Sequence, residues 1–147
     1  MSHMFKKVVV GTDGTESSHL AVRRAAGIAA AFGGELILAS AYYAKEDEAL
    51  ASQRNESQPL VGGDHAEQVL ASAIEIAKEA GVAEPKAVLR RGSPVDALMA
   101  VVTEMKADLL VVGNRGINSL TGRLLGSVPA DVARQSDCDV MIVHTVD

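Results

Sequence analysis

The chain is expected to fold as an α/β protein: an open three-layer α/β/α domain built around a five-stranded, mostly parallel sheet. Three observations point there. Short runs of Val, Leu and Ile alternate with stretches whose apolar residues recur at helical spacing, and this alternation repeats along the chain. The short runs are apolar almost throughout, as in strands covered on both faces. At 147 residues, with 48% hydrophobic and 22% charged residues, the chain is long enough for one core and is expected to form a single domain over residues 1–147. Aromatic residues make up only 3%, so that core must be built from Val, Leu, Ile and Ala.

The first strand is expected over Lys7–Thr12. Asp13–Gly14–Thr15 turns the chain into a helix over Glu16–Phe32, with Leu20, Ala21, Ala25, Ile28 and Ala29 on one face. Gly33–Gly34 stops that helix. The second strand runs over Glu35–Ala41, and the polar stretch from Tyr42 to Gly63 reads as a long loop with a helical turn around Glu46–Ser52. Asp64 is placed to cap a helix over His65–Ala80, which buries Val69, Leu70, Ala73, Ile76, Ala77 and Ala80 and ends at Gly81. A third strand follows at Lys86–Arg90. Ser93 caps and Pro94 opens a helix that reaches Met105, because proline suits the first helical position. The fourth strand, Asp108–Val112, ends at Gly113. A last helix, Ser127–Gln135, leads to the fifth strand at Val140–Thr145.

Composition narrows the function. A net charge of −5 with no local Lys/Arg cluster argues against nucleic acid and anionic lipid as partners. The longest apolar stretches, such as Leu109–Gly113 and Val140–Val143, fall far short of the roughly 20 residues of a membrane-spanning helix. The start of the chain lacks a signal-peptide core, and the one cysteine, Cys138, has no partner for an internal disulfide. A cytoplasmic setting follows, with Cys138 an inert, partly buried thiol.

In open parallel sheets, ligands sit beyond the carboxyl ends of the strands, where the strand order reverses. The exits are Gly11–Thr12–Asp13–Gly14, Ser40–Ala41, Arg91–Gly92–Ser93 and Gly113–Asn114–Arg115–Gly116. The fourth is the richest. Its glycines let backbone amides approach phosphate oxygens, and Arg115 can neutralise their charge. About ten residues on, Gly126–Ser127 opens a helix whose free amides and positive end suit an anion. Asp13 can accept a hydrogen bond from a ribose hydroxyl or an adenine amino group; alternatively its carboxylate only closes the turn with Gly14.

The opening Val8-Val9-Val10-Gly11-Thr12-Asp13-Gly14 and the spacing Gly113-x2-Gly116-x9-Gly126-Ser127 resemble the universal stress protein family, over essentially the whole chain. The spaced glycines mark its nucleotide-binding branch. The resemblance implies the sheet order 3-2-1-4-5 and an adenine nucleotide as ligand: ATP, with Mg2+ as companion cation, or cyclic AMP instead. It places Asp13 and Ala41 at the adenosine; Gly113, Arg115 and Gly116 at the ribose and phosphates; and Gly126, Ser127 and Val128 at the phosphate tail. Gly11, Thr12 and Asn114 complete the set through their places at the two central exits. Ala41 stands where the family often carries Val, which leaves the adenine wall looser. The resemblance further implies a regulatory or sensor module that dimerises, and the fifth strand, as an apolar sheet edge, is the expected interface.

Other classes fit less well. The chain carries neither G-x4-G-K-[ST] nor G-x-G-x-x-G, and its two Tyr and two Phe offer few walls for a flavin. An enzyme needs a positioned base or nucleophile. His19 and His65 fall on helices, His144 near the end of the fifth strand and His3 in the tail, all read as solvated positions away from the glycine segment. No catalytic residue is therefore assigned, and slow ATP hydrolysis by the same fold stands as the alternative function.

Overall fold

The structure, a computed structural model, describes residues 5–43, 63–114 and 127–144. Its elements follow in the order β1 (Lys7–Gly11), α1 (Glu16–Phe32), β2 (Glu35–Tyr42), α2 (Gly63–Glu79), β3 (Lys86–Arg91), α3 (Pro94–Met105), β4 (Leu109–Gly113), α4 (Ser127–Gln135) and β5 (Asp139–Val143). The type and order of every expected element hold. The stretch read as a long loop, including the turn around Glu46–Ser52, lies outside the described residues apart from its two ends. Boundaries shift by one or two residues. α2 begins at Gly63, which makes Asp64 a first-turn residue rather than the cap. β5 starts at Asp139 and ends at Val143, short of the expected Thr145.

The strands pair in parallel in the order β3-β2-β1-β4-β5. β1 therefore sits at the centre, and Val8, Val9 and Val10 are wholly buried, covered from both sides. Side chains alternate across the sheet. Val8, Val10, Leu36, Leu38, Leu109 and Val111 pack with Ala21, Ala25 and Ala29 of α1 and Leu70, Ala73 and Ala77 of α2. Val9, Ile37, Leu110 and Val112 face the other way, onto Val95, Leu98, Val101 and Val102 of α3 and Val132 of α4. The buried stripe of α1 is mostly alanine, with Leu20 and Ile28 only at its margin. A helix with so little side chain on its inner face lies close to the sheet.

Helix ends are closed by local chemistry. Thr15 caps α1, its Oγ1 accepting from Ser18 N at 3.2 Å, and Ser93 caps α3 through a bond from Asp96 N at 3.2 Å. Gly33 takes the left-handed conformation at φ 67° and Gly34 N donates back to the Ala29 carbonyl at 2.8 Å. α3 ends instead on Lys106, left-handed at φ 55°. A lysine pays for that conformation with a crowded Cβ, so Lys106→Gly is expected to stabilise the fold by about 0.5–1 kcal/mol, read as a higher denaturation midpoint with an unchanged slope.

One exposed ion pair joins strand starts: Lys86 Nζ lies 3.0 Å from Glu35 Oε1. Its hydrogen bond and charge hold the Glu35 carboxyl below its ordinary value. The small stabilisation this gives is present above the ordinary glutamate range and is lost as pH falls through the lowered value.

Candidate functional site

Because all pairings are parallel, the exits of β1, β2, β3 and β4 come to one end of the sheet, and the order reverses between β1 and β4. The buried polar residues among those described are Thr12, Ser18, Ser40 and Asn114. All four stand at or near this end. Elsewhere the strands bury apolar side chains, so the polar groups kept out of water here call for a reason.

The β1 exit is tightly bonded. Gly11 is closely packed: a Cβ there would meet both terminal carbons of Leu98 at 3.1 Å, so that side chain would have to give way. Thr12 N donates to the Ala39 carbonyl at 2.9 Å, and Thr12 Oγ1 lies 3.2 Å from Ser18 Oγ. Ser18 Oγ donates to the Thr15 carbonyl at 2.9 Å and accepts from Asp13 N at 3.3 Å. Asp13 Oδ1 accepts from Thr15 N at 3.0 Å and from the Thr15 hydroxyl at 2.7 Å. Asp13 therefore does close a turn, helped by Gly14 at φ 86°. That turn occupies one carboxylate oxygen. A carboxylate has lone pairs on both, so Oδ2 keeps its capacity to accept from a ligand.

On the neighbouring strand β2, Ser40 Oγ is buried with no hydrogen-bond partner among the described residues. Ala41, half-buried, is paired with Arg90 of β3. At the third exit Gly92, at φ 124°, donates its N–H to the Tyr42 carbonyl at 2.8 Å.

The β4 exit holds Gly113 and Asn114. The sequence suggests Gly113 as a glycine that lets a ligand approach, yet its hydrogen side faces α1: a Cβ would run into the Ser17 hydroxyl and come within 3.2 Å of the Ser17 carbonyl oxygen. Asn114 is only 3% exposed, with Nδ2 3.3 Å from His144 Nδ1. The expectation that no histidine sits beside the glycine segment is thereby corrected. The pairing of Gly113 with Val143 carries the residues that follow, Asn114 and His144, to the same end of the sheet. His19 is half-buried on α1 and His65 exposed on α2.

Gly11, Thr12, Asp13, Ala41, Gly113 and Asn114 are thus brought to one end of the sheet. Ser127 and Val128 open α4. Arg115, Gly116 and Gly126 lie outside the described residues. Ser18 and His144 were missed as members of this end of the molecule. Ser18 was traceable as the third residue after the capping Thr15, whereas no local signal marks His144. Among the described residues no three His, Cys, Asp or Glu side chains stand close enough to hold a metal, and no helix is long and apolar enough to cross a membrane.

The parallel order β3-β2-β1-β4-β5 with helices on both faces defines a doubly wound α/β protein, and its buried polar residues gather at the end where the order reverses, the place at which such sheets receive ligands. More particularly, the chain belongs to the universal stress protein family, whose pattern it matches over residues 4–144. It is 48% identical over 143 residues to Universal stress protein Rv1636 of Mycobacterium tuberculosis (strain ATCC 25618 / H37Rv), covering 96% of this chain and 97% of the relative. Among solved structures, a universal stress protein in complex with cAMP is 45% identical, with a TM-score of 0.74 over 97% of this chain and 98% of that one. The universal stress protein UspA from Lactobacillus plantarum shares the fold at 17% identity, with a TM-score of 0.77 over 97% and 99% of the two chains.

Proposed function

We propose that this protein binds an adenine nucleotide at the crevice between the exits of β1 and β4 and acts as a regulatory or sensor module. The observation that carries the reading is the gathering of the buried polar residues Thr12, Ser18, Ser40 and Asn114 around that crevice in an otherwise apolar sheet. In this reading Gly11, Thr12, Asp13 and Ala41 meet the adenosine, with the free oxygen of Asp13 accepting from a ribose hydroxyl or the adenine amino group. Gly113, Asn114, Arg115 and Gly116 serve the ribose and phosphates. Gly126, Ser127 and Val128 present amides at the start of α4 to the phosphate tail. Cyclic AMP and ATP both fit this set; ATP would bring Mg2+ with its phosphates. The relative solved with cAMP at 45% identity makes cyclic AMP the first ligand to test.

The test is calorimetry with cyclic AMP, ATP, ADP and adenosine on the wild type and on Gly116→Val and Gly126→Val, at matched melting temperature. Each valine removes one or two amide contacts to a charged phosphate, and affinity is expected to fall by about 1.5–3 kcal/mol, on the order of ten- to a hundredfold. Wild-type affinity of both variants for every ligand would make the glycine segment purely structural. Phosphate release measured beside nucleotide retention separates a binding module from a slow hydrolase.

A homodimer through β5, in the cytoplasm, belongs to the same reading. β5 is the outer strand of the sheet, and Met141 on it is 37% exposed. An apolar edge strand of this kind pairs readily with a second copy. Light scattering at micromolar concentration is expected to give twice the 15.3 kDa chain mass, and Met141→Lys to shift it toward the monomer. A wild-type monomer would refute the interface.

A further inference from the structure

His144 has no part in the reading above, yet it touches the most deeply buried polar residue among those described. Asn114 is 3% exposed and stands where the Gly113-x2-Gly116 segment leaves β4. Its carboxamide carries donors at one end and an acceptor at the other, and a buried amide turned the wrong way leaves one of them unmet. The imidazole supplies a partner for the nitrogen end. Nδ1 of His144 lies 3.3 Å from Asn114 Nδ2, so a ring with its proton on Nε2 accepts from the amide and fixes that end toward β5. The two residues meet because β4 and β5 run parallel with Gly113 abreast of Val143. They are 30 positions apart in the chain.

We infer that His144 is a positioning residue for the nucleotide site: from the neighbouring strand it holds the Asn114 carboxamide in one orientation, and with it the point at which the glycine segment departs. This rests on the crevice being the nucleotide site. His144 itself is exposed, so its side chain can be changed with little cost to packing.

Three proteins test it: wild type, His144→Leu and His144→Asn. Leucine offers no acceptor. Asparagine offers Oδ1 at the same number of bonds from the backbone as Nδ1 of histidine. His144→Leu is expected to lose about five- to thirtyfold in affinity for cyclic AMP or ATP, whichever the wild type binds more tightly, because an amide released at this end spends only part of its time in the orientation that binds. His144→Asn is expected to return to within about threefold of wild type on the same reasoning. In the free protein, the Asn114 side-chain amide resonances should move in His144→Leu and return in His144→Asn. Unchanged affinity and unchanged Asn114 resonances in His144→Leu would overturn the inference, as would a His144→Asn variant as weak as His144→Leu. Failure of the wild type to bind any adenine nucleotide would instead refute the site, and the Asn114 resonances would then still decide whether His144 positions the amide.

Discussion

Gly113→Val is expected to lower the stability of the fold by about 2–3 kcal/mol, the range in which an over-packed contact falls. A Cβ at this position would overlap the Ser17 hydroxyl and stand 3.2 Å from the Ser17 carbonyl oxygen and 3.4 Å from its carbonyl carbon. The hydroxyl can rotate away. The carbonyl cannot, because it belongs to the first turn of α1, and valine adds two further carbons to the same space. α1 lies against β4 on a face of alanines, so it has no large side chain to rearrange in compensation. The loss should be visible in denaturant midpoints without nucleotide, in contrast to Gly116→Val, whose expected loss is in binding. A double-mutant cycle with Ser17→Gly locates the cause: the milder Gly113→Ala should recover part of its own loss in that background. Full stability of Gly113→Val would show that the close approach of α1 to β4 is no constraint.

Gly34→Ala is expected to be as damaging, about 3 kcal/mol, while Gly33→Ala next to it costs about 1 kcal/mol. The two glycines serve different ends. Gly33 ends α1 in the left-handed region at φ 67°, with open space where a Cβ would go, so alanine there is disfavoured by the conformation alone. At Gly34 a Cβ would collide with the Phe5 carbonyl oxygen and sit 2.9 Å from the Lys6 oxygen and 3.1 Å from the Lys6 carbonyl carbon. All of these are backbone atoms, and no rotamer relieves them. The Lys6 carbonyl also accepts from Glu35 N at 2.8 Å, beside the first pairing of β1 with β2. Pushing the chains apart there loosens the central ladder at its start. Urea unfolding of the two variants checks the ranking, and equal losses would refute it.

Much of this molecule was legible in its residues because the signals are local. Val8–Val9–Val10 and Leu36–Ile37–Leu38 are apolar without alternation, which only a doubly covered strand needs. Ser93–Pro94 and Gly33 mark helix ends through bonds and dihedrals that involve neighbours a few residues away. The exits that hold Asp13, Ala41 and Asn114 followed from strand ends plus the rule for parallel sheets. The order 3-2-1-4-5 came through family resemblance, since no run of residues states which strand lies beside which.

Distance across the chain settled the rest. Gly113 and Gly34 read as flexible or terminating glycines, yet their size is required by Ser17 and by Phe5 and Lys6, partners brought near only by packing. Asp13 takes its turn-forming bonds from Thr15, a local matter, but its place at the same end of the sheet as Ser40 and Asn114 depends on β1 lying between β2 and β4. His144 looked like one more surface histidine because its partner is a strand away. A hydrogen bond or a steric contact depends on three-dimensional separation to within a fraction of an ångström, and for Asn114 and His144 that separation is set by β5 pairing with β4 with Gly113 abreast of Val143, a choice of neighbour made by packing across the whole sheet.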